Sequence, residues 1–131
     1  MKKRLAMATC PCGGTTYADC CEPLLNGIRQ AASAVELMRS RYTAYSRCAD
    51  DYLRATWAAQ TRPTAQISQA GVQWLGLEVR AHSQEDRYAQ VEFIARYKID
   101  GRAHRLHEIS RFVCEDGVWT YVDGSFPEDD V

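Results

Sequence analysis

The sequence predicts an α+β domain with helices first and an antiparallel sheet after them, and three observations carry that expectation. Between residues 33 and 61, apolar side chains recur at three- and four-residue steps; between 72 and 123 they alternate with polar ones. Two Asp-Gly pairs then fall between the alternating runs, where hairpin turns belong. A chain of 131 residues suits one domain, and 46% hydrophobic with 25% charged residues is an ordinary globular balance. No apolar run approaches the roughly 20 residues of a membrane span. A net charge of -1 gives no broad basic face, so nucleic acid is a poor fit as partner.

The N-terminal Lys2, Lys3 and Arg4 precede only four apolar residues, Leu5 to Ala8. A secretory leader needs about 7 to 15, so the expectation is a cytoplasmic protein. Thiols stay reduced there, and six cysteines with four of them between positions 10 and 21 point to metal chemistry before disulfides. Cys10-Pro11-Cys12 and Cys20-Cys21 are two close pairs from one short loop, the arrangement that can wrap a tetrahedral zinc ion as a closed, structural centre. Gly13 and Gly14 permit a tight path after the first pair. The competing accounts are weaker: adjacent cysteines cannot bridge without strain, and the loop has few apolar neighbours to make its thiols core. Cys48 and Cys114 lack metal-type spacing and read as small core residues.

Ser33 with Glu36 three residues on reads as a capping box opening a helix. Val35, Met38, Tyr42 and Tyr45 fall on one inward face of it, with Leu37, Arg41, Ala44 and Cys48 as a stripe beside them. Asp50 reads as the cap of a second helix through Tyr52, Leu53 and Trp57, ended by Arg62-Pro63. The sheet follows. Leu75, Leu77 and Val79 alternate, as do Val91, Phe93, Ala95, Tyr97 and Ile99. Three strands from 88 to 123 form a meander, with 74 to 80 as a fourth strand.

On the strand from Arg105 to Cys114, the period of two carries Glu108 and Ser110 inward with Leu106, Phe112 and Cys114. A buried carboxylate needs a partner, and Arg41 on the helix is the expected one. The first expectation is an ion pair setting helix-to-sheet registry; the alternative is a general acid or base in a pocket walled by Trp57, Trp74, Tyr97 and Trp119. His82, His104 and His107 read as surface residues. Glu92, Arg96 and Arg111 read as cross-strand partners on the solvated face. Glu128, Asp129 and Asp130 read as a solvated tail.

Cys-Pro-Cys-Gly followed by Tyr17 and Cys20-Cys21 resembles the SEC-C motif, the zinc knuckle named for the tail of the secretion ATPase SecA. The stretches 37–42, 53–57, 74–77, 91–93, 106–108 and 119–124 are similar to the YchJ family of small bacterial proteins. That resemblance implies a knuckle over 1–30 and, over 31–131, a cone of curved sheet closed by helices, as in nuclear transport factor two. The loop between the cysteine pairs is one residue shorter than usual, and only one knuckle is present where longer relatives carry two. The implied role is a non-enzymatic adaptor or binding module. Its knuckle would face a protein partner, as the SecA tail faces the chaperone SecB, and its cone would offer a ligand pocket. A small enzyme using Glu108, with zinc purely structural, is the alternative.

Overall fold

The capping box opens the principal helix as its sequence requires. Ser33 is extended and its Oγ accepts from the Glu36 amide at 3.1 Å, while Glu36 accepts from Ala32 N–H at 2.7 Å and pairs with Arg29. The structure is a computed structural model and describes residues 9–127. Its helices are α1 (Glu22–Leu25), α2 (Ala34–Ser46) and α3 (Asp50–Ala55), and its strands β1 (Val72–Glu85), β2 (Tyr88–Ile99), β3 (Arg102–Glu115) and β4 (Val118–Ser125). The strands form one antiparallel sheet in the order β1-β2-β3-β4. Lys2, Lys3, Arg4 and the acidic residues 128–130 lie outside the described residues. None of the described helices is long and apolar enough to cross a membrane.

The helical region is shorter and more broken than its periodicity suggests. Cys48, at φ 55°, turns the chain after α2; it is exposed, not a core residue. Ala49, not Asp50, occupies the cap of α3. The Asp50 carboxylate reaches forward, accepting from the amides of Ile67 and Ser68 at 3.0 and 3.1 Å and from the Ser68 hydroxyl. Beyond α3 the chain leaves helical geometry because an edge strand with open backbone groups takes it up. Ala58 N–H donates to Tyr121 O at 2.7 Å and Tyr121 N–H to Thr56 O at 2.8 Å. Trp57 therefore bridges β4 and ends no helix.

All three hairpins turn through residues in the left-handed region: Asp86, then Asp100-Gly101, then Asp116-Gly117. The first makes β1 longer than the alternation showed, drawing His82 to Glu85 into the sheet. Bulges set which side chains face inward. One lies between Trp74 and Gly76, so Leu75 is the extra residue and stands 48% exposed while Trp74, Leu77 and Val79 pack toward the core. Another shifts β4 between Arg111↔Asp123 and Phe112↔Tyr121. It leaves Tyr121 inward, turns Asp123 outward and sets Gly124 opposite Ser110.

The core lies between α2 and the concave sheet face: Leu37, Met38 and Tyr42 meet Val91, Phe93, Ala95 and Phe112. Cys10, Cys12 and Cys21, each 1–2% exposed, belong to the same apolar cluster. The thiols thus have the apolar company that the loop's own composition lacks, because α2 and the sheet supply it. Residue 30 falls in the connection between α1 and α2.

Candidate metal centre and concave-face cavity

Four sulfurs converge at the N-terminal loop, all within 4.8 Å of one another. Cys12 and Cys20 are 3.5 Å apart, Cys12 and Cys21 3.7 Å, Cys20 and Cys21 3.9 Å. Four thiolates at about 2.3 Å from a tetrahedral ion stand roughly 3.8 Å from each other. The donor set therefore fits a closed metal centre by both chemistry and spacing. Local backbone makes it so: Cys10 N–H donates to Thr15 O at 2.7 Å, Gly13 sits at φ 91°, and a Cβ on Gly14 would come 2.7 Å from Cys20 Sγ. Hydrogen bonds from the Cys21 thiol and the Gly14 amide pull Cys12 down to about 4, against its burial. Burial and neighbouring sulfurs raise Cys20 to about 11, and the bond to Cys12 followed by burial pushes Cys21 up as well. A cation at the centre would substitute for the protons these sulfurs share.

One face of α2, extended by its C-cap Arg47, holds this loop. Arg39 donates to Cys12 O at 3.0 Å, the Thr43 hydroxyl lies 3.3 Å from Cys21 Sγ and 3.6 Å from Cys10 Sγ, and Arg47 stacks over Tyr17 at 4.3 Å. These three residues are four apart in sequence, hence on one stripe. The spacing of four is present in the sequence, but nothing there ties it to the cysteine loop, because the loop is not itself periodic.

The neighbouring face of α2 borders a cavity of about 340 Å³ against the sheet. Met38, Arg41, Tyr42 and Tyr45 form its helical wall, and Glu108 and Ser110 are polar groups on its sheet side. Glu108 is 8% exposed and Ser110 2%. Ser110 Oγ and the Tyr121 hydroxyl both donate to Glu108 Oε2, each at 2.8 Å. Burial and the Glu108 charge hold the Tyr121 phenol well above its usual range, so it remains a donor. A Cβ on Gly124 would overlap the Glu108 carboxylate, which lies across that glycine.

Arg41 is not the direct partner of Glu108. Its Nη1 donates to Leu53 O at 2.9 Å and to Thr56 Oγ1 at 2.6 Å, and its guanidinium lies 5.0 Å from the Trp57 ring centre and 4.6 Å from that of Tyr121. Tyr121 stands between the two charges, its ring against the cation and its hydroxyl on the anion. The inward face of β4 after Trp119 signalled this tyrosine. Burial draws the Arg41 guanidinium below its ordinary value, while the Glu108 charge acts in the opposite sense.

Of the four expected aromatic walls, only Trp74 borders the cavity. Trp57 lies behind Arg41 and meets Tyr121 edge-on at 4.9 Å, its Nε1 buried with no partner among the described residues. Tyr97 backs Trp74 at 5.1 Å and stacks on His104. Trp119 sits opposite Cys114 at the hairpin end, where it borders a separate depression with Leu24, Tyr52 and Ala55. On the convex face His107 is largely covered and bonds Glu92 at 2.7 Å, so it is no free surface histidine. Arg111 pairs with Asp123 through both carboxylate oxygens, at 2.6 and 2.5 Å. Cys114 packs against the core cluster.

The family of the middle, nuclear-transport-factor-two-like domain of YchJ matches residues 33–124, the helices and sheet just described. The chain belongs to the YchJ family. Members similar to it include a UPF0225 protein of Ralstonia nicotianae, 48% identical over 130 residues with 89% of this chain and 90% of that one covered. A UPF0225 protein of Chromobacterium violaceum is 50% identical, with 93% and 96% covered. The solution structure of a SEC-C motif containing protein from Rhodopseudomonas palustris superposes with a TM-score of 0.83 at 36% identity, covering 91% of this chain and 98% of that one. A crystal structure of a SEC-C motif containing protein from Psychrobacter arcticus gives 0.77 at 28% identity, covering 92% and 84%. YchJ-family membership thus joins a SEC-C type cysteine loop to a helix-covered antiparallel sheet in one chain.

Proposed function

We propose that this chain is a non-enzymatic binding module of a reducing, cytoplasmic compartment, with zinc as a structural ion, the knuckle turned to a protein partner and the cavity as a ligand seat. The observation that carries this reading is the double use of α2. Arg39, Thr43 and Arg47 hold the cysteine loop, while Met38, Arg41, Tyr42 and Tyr45 form the cavity wall. Cys10, Cys12, Cys20 and Cys21 would hold Zn²⁺ with all four positions filled by sulfur, so the ion supplies folding energy and leaves no position for a substrate. The polar groups of the cavity favour holding over turnover: both donors that reach Glu108 come from the protein, and Arg41 is engaged with α3.

The test has two parts. Freshly purified, reduced protein, prepared without chelators, is expected to carry about one zinc per chain by elemental analysis; less than a tenth of an equivalent overturns the metal assignment. Pull-downs from native lysate with the intact chain and with Cys20→Ser/Cys21→Ser should show partners retained by the first and lost by the second. Identical partner sets would remove the knuckle from the role.

A further inference from the structure

The chemistry of the cavity narrows what it can take. Glu108 Oε2 already accepts two hydrogen bonds, from Ser110 and Tyr121, whereas Oε1 accepts none from any described residue although the carboxylate borders the cavity. An ionised carboxylate has about four lone-pair sites, so Oε1 remains an acceptor on a carboxylate that borders the cavity. Opposite in sign, Arg41 is 5% exposed in the helical wall of the same cavity and shows no ion pair with Glu108 among the described residues. One fixed cation and one fixed anion make the seat neutral as a whole. A ligand carboxylate would gain from Arg41 and be repelled by Glu108; an ammonium would meet the reverse. An uncharged molecule meets neither penalty, and one N–H or O–H suffices to engage Oε1.

The rest of the lining is apolar and flat. Tyr42 meets Trp74 edge-on at 5.5 Å, Phe112 meets Tyr121 edge-on at 5.7 Å, and Phe93 lies between these pairs on the central strands. Ring faces and edges of this kind favour aromatic guests in offset or edge-to-face contact. The volume, about 340 Å³, lies at the lower end of small-molecule pockets, which run from about 300 to 1,000 Å³.

We propose that the cavity binds an uncharged, planar aromatic molecule of one or two rings that donates a single N–H or O–H to Glu108 Oε1. This assignment rests on the binding-module reading and names its ligand class. Glu108 is the selecting group, because a site built to receive a donor discriminates strongly against the analogue that lacks it. Arg41 excludes cationic ligands and, through Tyr121, fixes the carboxylate.

The experiment is an NMR titration of the full chain as purified, with 2-naphthol, 2-methoxynaphthalene and 2-naphthoate as probes and the Trp74 indole and Ala95 signals as readout. The expected result is that 2-naphthol binds at least about tenfold tighter than 2-methoxynaphthalene, as loss of a hydrogen bond to a charged group implies, and tighter than 2-naphthoate. Glu108→Gln should abolish the first ratio, bringing it to about one or below, since its single oxygen stays with Ser110 and Tyr121 and an amide N–H, a donor, replaces Oε1. Ala95→Leu, which fills the cavity, should weaken every probe. Should Glu108→Gln fail to fold, the wild-type ratio still decides. Equal binding of the naphthol and its methyl ether, or preference for the naphthoate, overturns the ligand class while leaving a working cavity. No shift at the cavity signals with any probe overturns the binding-module reading itself.

Discussion

Glu108 accepts from Ser110 and Tyr121 and lies across Gly124, and substitutions at Glu108 and Gly124 have distinct expected effects. Gly124→Ala places a methyl group where the Glu108 carboxylate lies. The carboxylate must then move off Ser110 and Tyr121, and the expected loss is about 1 to 3 kcal/mol in a urea melt, the usual range for overpacking. Glu108→Gln keeps an acceptor for both hydroxyls, and Arg41 does not depend on it for a direct partner. Its loss should be only about 1 kcal/mol, the difference between a charged and a neutral hydrogen bond. Glu108→Leu should lose more than Gln does, because two buried hydroxyls are left unpaired. A Gln variant as damaged as the Leu variant would mean that the charge, not the acceptor, holds the arrangement.

At the scale of elements, Asp50 joins α3 to the segment before β1. Its carboxyl is held below the usual carboxylate value, first by the Ser68 hydroxyl and then by the Ile67 amide. A depressed folded value means that the link is complete above the unfolded value, near pH 4, and is lost as pH falls through the lower folded one. The Ile67 and Ser68 amide signals should therefore move together only below about pH 4, and Asp50→Asn should abolish that titration. At the second hairpin, Gly101 has φ 78°. Gly101→Ala should destabilise by about 1 kcal/mol, the penalty of a left-handed residue with a Cβ, without altering the cavity probes.

For the whole molecule, the metal reading makes the cysteine loop a support for the main core, since three of its sulfurs share an apolar cluster with α2 and the sheet. Removal of the bound metal by a chelator should lower the melting temperature by more than about 10 °C, as several kcal/mol lost from a domain of this size would do. Amide exchange should quicken along α2 as well as in the loop. Quickening confined to residues before 27 would show that the sheet and helices stand without the centre.

The sequence alone determined what depends on local periodicity and spacing. Ser33 with Glu36, the two Asp-Gly turns, the inward side of Phe93, Glu108 and Ser110, and the four clustered cysteines are set by neighbours a few residues away. The tertiary structure decided what depends on bulges and on contacts far along the chain. An extra residue at Leu75 or Val122 shifts the alternation across it, so that Trp74 with Leu77, and Tyr121 with Gly124, share the inward face, and no composition signal marks it. Trp57 left its helix because a strand edge some sixty residues away offered backbone partners. Arg41 turned to Leu53 and Thr56 because Tyr121 came between it and Glu108. Periodicity sees one element at a time, whereas these outcomes were set by which elements meet.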